Sequence, residues 1–240
     1  MKLPLAAAAA AFAFVSSPAV AQDWSDVHGT IGVRAWGVEW STWFLVPGFL
    51  GGAVYKEADR ETAIIPVASL RYKDFLLAGS YMASKDYQFP VLNYPKTERR
   101  EYDINFGYFV APSLAVTIGY KDVKYDTTEG FNTSMKGPTL GASGSAPVAP
   151  WMSLYGSIAT GLNMKLNDSS TFHDVKAKYL VTELGLAFPL GQMSPSFKGF
   201  VVTTGYRYQR IGGHANSPGY PSDELYETTQ GFVLGLSYSM

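Results

Sequence analysis

Arg99, Glu101 and Asp103 occupy alternate positions in Arg99-Arg100-Glu101-Tyr102-Asp103, and in an extended chain a spacing of two turns all three to one side. Such a row does electrostatic work. It can select ions by charge or lock onto opposite charges on a neighbouring strand. Arg34, Arg71, Lys121, Glu183 and Arg207 hold comparable positions in other alternating segments. Residues suited to covalent or acid-base chemistry are scarcer. His173-Asp174 and His214 stand in loop-like segments, and no H-E-x-x-H or Gly-x-Ser-x-Gly pattern occurs. With no cysteine there is neither a disulfide framework nor a thiolate metal site. Two loop histidines are more often solvated polar residues than a base or a metal pair, so no catalytic site, metal or cofactor is expected.

Alternation by two belongs to strands. Period-two patterning bounded by Gly, Pro, Asn, Asp and Ser predicts ten of them, near 27–38, 61–72, 75–84, 98–110, 113–125, 134–146, 151–164, 176–188, 197–210 and 228–240. The sixth carries Pro138 and glycines 137, 141 and 144, residues that mark a bulge or weaken a strand. Counts of eight or twelve therefore stay open. The connections alternate in length: Lys73-Asp74, Ala111-Pro112 and Pro147-Val148-Ala149-Pro150 are short and 189–196 is moderate, whereas 39–60, 85–97, 126–133, 165–175 and 211–227 are mostly longer. Short turns at one end and long loops at the other describe an up-and-down barrel.

Chemistry separates the two faces of these strands. Tyr102, Ile104, Phe106, Tyr108 and Val110 share one face of the fourth, against Arg99, Glu101, Asp103, Asn105 and Gly107. The fifth sets Leu114, Val116, Ile118 and Tyr120 against Ala115, Thr117, Gly119 and Lys121, and the ninth sets Phe200, Val202, Thr204, Tyr206 and Tyr208 against Gly199, Val201, Thr203, Gly205, Arg207 and Gln209. A soluble ligand-binding barrel would be apolar inside and polar outside. A sandwich would bury the apolar faces, but its loops do not alternate short and long.

The last segment puts Phe232, Leu234, Leu236, Tyr238 and Met240 on one face. It resembles the final strand of an outer-membrane β-barrel, with Met240 where Phe is commoner. The resemblance covers the whole mature chain as architecture. It implies an all-β fold: a transmembrane antiparallel up-and-down barrel of about ten strands, with short periplasmic turns and longer extracellular loops. It also implies that the barrel-insertion machinery reads the last strand, whose apolar face then meets lipid and which closes the cylinder against the first strand near 27–38. Tyr72, Phe75, Tyr108, Trp151 and Tyr238 toward the turns, and Tyr81, Tyr102, Tyr120, Tyr206 and Tyr208 toward the loops, suit two interfacial girdles.

Export fits this reading. Met1-Lys2, the apolar run Leu5 to Val15 and the Ala19-Val20-Ala21 site form a secretory signal peptide, predicting cleavage after Ala21 and a location in the bacterial outer membrane. The remaining 219 residues (240 − 21) make a single barrel domain, 22–240, with no Pro/Ser-rich linker. A net charge of −1 argues against a nucleic-acid partner.

The inward charges raise the question of function. If the Ala111-Pro112-Ser113 turn pairs Val110 with Leu114, antiparallel counting sets Asp103 opposite Lys121 and Glu101 diagonal to it. Such a network either rigidifies the lumen or forms a constriction selecting small polar solutes. The first long loop, with Trp40, Trp43, Phe44, Leu45, Phe49 and Leu50, is unusually apolar, as is the second with Phe89, Pro90, Val91, Leu92 and Tyr94. It reads as a hairpin resting in the outer leaflet, a lid in the barrel mouth, or a docking patch. The leading expectation is a non-enzymatic barrel forming a narrow channel for small polar solutes with a charged lumen; the alternative is a structural or surface-binding barrel whose apolar extracellular loops engage a protein partner, lipopolysaccharide or a hydrophobic ligand. Expected partners are outer-membrane lipid, lipopolysaccharide, the assembly machinery and a surface protein. The omptin proteases, ten-stranded barrels with Asp and His near the loops, invite comparison with His173-Asp174 and His214, but no omptin motif matches residue by residue and this chain is shorter.

Overall fold

The computed structural model describes residues 27–45, 53–90, 96–127, 132–168, 175–213 and 225–240. Its strands are β1 (Val27–Leu45), β2 (Ala53–Glu57), β3 (Glu61–Tyr72), β4 (Phe75–Tyr87), β5 (Thr97–Ala111), β6 (Leu114–Thr127), β7 (Asn132–Ala149), β8 (Met152–Gly161), β9 (Met164–Asp168), β10 (Val175–Pro189), β11 (Phe200–Gly213) and β12 (Leu225–Ser239). Hydrogen-bonded neighbours run β11-β12-β1-β3-β4-β5-β6-β7-β8-β10, and β10 pairs back to β11. Ten antiparallel walls thus close a cylinder, one for each segment predicted from alternation.

The two short strands extend walls already counted. On β1, Val38 pairs with Glu61 of β3, Ala58 donates its N–H to the Trp40 carbonyl at 2.7 Å, and Ser41 pairs with Glu57 of β2. So β2 continues β3 across a bulge at Asp59-Arg60. Likewise β9 continues β8: the β7 partners pass from Thr139↔Gly161 to Lys136↔Lys165, and the β10 partners from Leu180↔Thr160 to Ala177↔Met164. Both registers slip by one at Leu162-Asn163. Asn163 takes φ 50 there, a left-handed conformation that Asn tolerates better than most residues.

Pro138 does not break its strand. It lies opposite Tyr120 in an unbroken β6–β7 register, and its carbonyl accepts from Leu162 N at 2.8 Å. In an antiparallel ladder a residue's N–H and C=O face the same neighbour, so the missing N–H of Pro138 falls beside the β8–β9 bulge, where the ladder is already interrupted. The turn after β5 also differs in detail from expectation. Ala111, not Val110, pairs with Leu114, and Val110 bulges before Phe109 resumes opposite Ala115. Beyond that bulge the register is the one anticipated, with Asp103 opposite Lys121.

Closure joins β12 to β1 from Thr30↔Ser239 to Ser41↔Thr228, and Met240 and Gly29 exchange two backbone hydrogen bonds at 2.9 and 3.1 Å. Phe232, Leu234, Leu236, Tyr238 and Met240 all face outward and are exposed. They continue an apolar belt through Ile31, Val33, Ile64, Leu70, Leu77, Ile104, Phe106, Val116, Ile118 and Leu184. Burying such a surface is what lipid does for a barrel. Tyr72, Phe75, Tyr108, Trp151 and Tyr238 edge the belt on the turn side, and Tyr81, Tyr102, Tyr120 and Tyr206 edge it on the loop side. Tyr81 and Tyr102 stack at 4.6 Å.

Candidate functional site: a charged lumen beneath an aromatic stopper

Glu101 is the hub of the lumen. β5 turns it inward with Arg99, β6 presents Lys121, and β11 presents Arg207 and Gln209. Arg99 reaches Glu101 Oε1 through Nε at 3.0 Å and Nη2 at 2.7 Å, while Gln209 Nε2 donates to the same oxygen at 3.1 Å. Lys121 Nζ donates to Glu101 Oε2 and, at 2.6 Å, to Asp103 Oδ2. Arg207 Nη2 lies 3.9 Å from Glu101 Oε2 and donates to Gln209 at 3.2 Å. Arg99 also donates to Thr229 Oγ1 at 2.6 Å and stands 3.5 Å from Glu227. Arg99 and Lys121 are 0 % exposed. Charges so enclosed persist only when paired and hydrogen-bonded, and each of these is.

An aromatic layer covers this network on the loop side. Trp40 stacks on Tyr125 at 5.3 Å and meets Tyr87 and Phe89 edge-on at 5.1 and 4.9 Å. The Arg99 guanidinium lies 5.1 Å from the Trp40 ring and 5.2 Å from the Tyr125 ring, so cation–π attraction ties the layer to the charges below it. Tyr125 donates its hydroxyl to Glu227. Trp36, Val38, Val123, Met135 and Met164 fill the cylinder around them and are buried. The loop-side half of the lumen is a packed core.

Toward the turns the lining changes in character. Inward positions there combine small polar residues, among them Ser80, Asn105, Thr117, Ser143, Thr203 and Ser237, with the buried apolar side chains of Val67, Leu76, Ala78, Tyr155, Ala187 and Val201. The side chains of Asp103 and Arg34 retain 10 % and 12 % exposure. Arg34 pairs with Glu183, which also accepts from Tyr155 Oη at 2.9 Å. These residues form a second group below the first. Arg71 departs from the expected network. It lies at the turn end, 3.8 Å above the Phe109 ring, and donates to the Lys73 carbonyl at 3.0 Å.

Sequence reasoning assigned Trp40 to an extracellular apolar loop, and the structure corrects this. β1 runs unbroken to Leu45, so Trp40 keeps the inward parity of Arg34, Trp36 and Val38 and becomes the centre of the stopper. That parity was a readable signal. Phe89 of the second loop joins it, again buried. Trp43, Phe44 and Leu45 pair along the backbone with Tyr55, Val54 and Ala53, so the loop begins as a strand hairpin. Phe49 and Leu50 lie outside the described residues, as do Val91, Leu92, Tyr94, His173, Asp174 and His214. Tyr87 had no readable signal: a register shift between Met82 and Lys85 turns it inward. Thr229 and Glu227 were passed over because the first is uncharged and the second precedes the predicted strand. Among the described residues, no group of three or more His, Asp or Glu side chains could hold a metal ion.

No protein-family model matches the chain, and no curated protein matches it in sequence. Solved structures do match. The outer membrane protease OmpT from Escherichia coli is 12% identical with a TM-score of 0.54, over 89% of this chain and 96% of that one. Neisserial surface protein A is 12% identical with a TM-score of 0.37, over 88% and 96%. Ail, the attachment invasion locus protein of Yersinia pestis, is 13% identical with a TM-score of 0.36, over 89% and 98%. At such identities the likeness is one of fold. The closed ten-strand cylinder, its aromatic-edged apolar belt and the overlap with OmpT give this chain the fold of an outer-membrane β-barrel.

Proposed function

We propose that this protein is a non-enzymatic outer-membrane barrel that acts as a closed structural or surface-binding element rather than as a conduit for solutes. The observation that carries the reading is the complete burial of Arg99 and Lys121 beneath Trp40, Tyr87, Phe89 and Tyr125. An ion crossing the lumen would have to part Glu101 from several donors and displace an aromatic layer at once. Such a barrel works through its two surfaces, toward lipid and toward whatever its loops meet: lipopolysaccharide, a surface protein or another envelope component. The mature chain begins at Gln22, which N-terminal sequencing of the exported protein tests.

The narrow-channel reading keeps one supporting observation, the partial exposure that Asp103 and Arg34 retain inside the lumen. Planar-bilayer recording on the folded mature chain separates the two. Silence in a sample of verified heat-modifiable migration supports the closed barrel. Reproducible openings that change when Asp103 or Lys121 is neutralised would replace it with the channel.

A further inference from the structure

One wall of the cylinder is laddered over only half its length. The β3–β4 pairing runs from Tyr72↔Phe75 to Val67↔Ser80 and stops, although β3 reaches on to Glu61 and β4 to Tyr87. Past that point β3 keeps its ladder with β1, up to Val38↔Glu61, and β4 keeps its ladder with β5, up to Tyr87↔Thr97. Residues 61–66 and 81–86 thus border a seam with no ladder across it. Among the described residues, no other pair of neighbouring walls stays unpaired over so long a stretch.

Pro66 accounts for where the seam begins. Gly29 exchanges backbone hydrogen bonds with Met240 of β12, and alternate residues of an antiparallel strand address the same neighbour, so Val33 also turns its backbone to β12. Pro66, the partner of Val33, therefore turns its own toward β4, where it has no N–H to offer. The register shift between Met82 and Lys85 then bends upper β4. Two clasps close the far end: Asp59 donates its N–H to the Gln88 carbonyl at 3.0 Å, and Lys85 pairs with Glu61 at 2.8 Å. Between Pro66 and these clasps lies a slot bridged by side chains. Backbone left unpaired in a membrane wall is tolerated only where water or another molecule can meet it.

The slot starts at girdle residue Tyr81, which marks headgroup level, and runs toward the loops. Ile64, Pro66 and Ala83 flank it on the outside and are exposed; Ala63, Ile65 and Met82 stand behind it and are buried. A second observation is polar. The hydroxyls of Tyr87 and Thr97, register partners on β4 and β5, are buried and make no hydrogen bond. Buried hydroxyls are otherwise paired, so two unpaired ones behind an apolar slot suit a guest that carries an acceptor. We infer that the β3–β4 slot is a lateral binding site for an amphiphile with a hydrogen-bond-accepting head. The head oxygen takes the hydroxyls of Tyr87 and Thr97, loopward of the girdle, and the apolar tail leaves past Pro66 into hydrocarbon. Met82, unbranched and adaptable, is the side chain that yields. The guest lies in the wall, so the site is independent of whether the lumen conducts.

The test uses the full mature chain in phosphatidylcholine nanodiscs, titrated with cis-parinaric acid, a polyene fatty acid that accepts energy transfer from tryptophan. Empty nanodiscs supply the partition background, and every variant is first checked for heat-modifiable migration. Wild type should show a saturable component above that background. Because the chain has no cysteine, Ile64→Cys, Ala83→Cys places a reducible staple across the slot: oxidation should lower affinity about tenfold or more and reduction restore it. Pro66→Ala, which returns the missing N–H toward β4, should weaken binding in the same direction even where the staple does not form. Tyr87→Phe should lower affinity about fivefold with no fall in the urea midpoint, a split that a merely structural hydroxyl would not give. The site is overturned if wild type shows no saturable component, if the oxidised staple and Pro66→Ala both bind as wild type does, or if Tyr87→Phe leaves affinity unchanged.

Discussion

Replacing Glu101 by Gln removes one charge from the centre of the lumen while keeping its shape. Glu101 balances Arg99 and Lys121 together with Asp103, so the substitution leaves this group of four one positive charge in excess. Removing one partner of a buried ion pair costs about 3–5 kcal/mol, because the remaining charge stays desolvated. Lys121 keeps Asp103 at 2.6 Å, and Arg99 keeps Thr229 at 2.6 Å and Glu227 at 3.5 Å. Those retained partners set the expected loss near the lower bound, about 3 kcal/mol, or a factor of roughly 150 in the folding equilibrium. Arg100→Gln is the matched control, since its pair with Asp126 is 37 % and 31 % exposed and such pairs contribute about 1 kcal/mol or less. Urea unfolding in phospholipid vesicles, followed by tryptophan fluorescence and heat-modifiable migration, measures both. In the double variant Glu101→Gln, Lys121→Met the loss should persist rather than return, because Asp103, 10 % exposed, then loses its own 2.6 Å partner. If Glu101→Gln costs no more than Arg100→Gln, water reaches the network and the packed-lumen argument fails.

Trp40→Ala should destabilise by about 3–5 kcal/mol through the cavity it opens among Tyr87, Phe89 and Tyr125, with loss of near-ultraviolet circular dichroism; a near-neutral result in the same urea assay would show that the stopper is not tightly packed. Gly231→Ala should prevent formation of the heat-modifiable species, because a Cβ there would lie 1.6 Å from the Gly37 carbonyl oxygen at φ +149, whereas Gly29→Ala, whose nearest neighbour would be 3.6 Å away, should fold normally. Leu234→Arg, on the lipid face, should cost about 2–4 kcal/mol in vesicles, measured by the same unfolding transition; an unchanged midpoint would remove that residue from the hydrocarbon.

Much of the fold was legible because lipid and lumen make opposite demands. Along β5, Tyr102 to Val110 could only face hydrocarbon, and Arg99 to Asp103 could only face away from it, so alternation fixed both faces and the register with β6 followed from a short turn. The site was less legible for two reasons. Trp40 was read by composition, as part of an apolar loop, when its even spacing from Arg34 already placed it inside. Tyr87 and Met164 depend on one-residue slips at Met82/Lys85 and at Leu162-Asn163, and a slip reverses every assignment beyond it without altering the pattern on either side. Asn163 hinted at one. Nothing in Ala83-Ser84 announced the other.

The slips at Asp59-Arg60, Met82/Lys85 and Leu162-Asn163 all lie on the loop side of the barrel, near the stopper. Each acts as a change of phase between two halves of one strand. Below it, the sequence answers to the thickness of the bilayer; above it, the same alternation is re-addressed, and residues that would have met solvent fill the core. Gain or loss of a single residue at such a point exchanges the inner and outer faces of the upper rim while leaving the membrane-embedded half in register. The two halves of this cylinder can therefore diverge separately, and surface specificity can change through one-residue insertions that a comparison of membrane strands alone would not register.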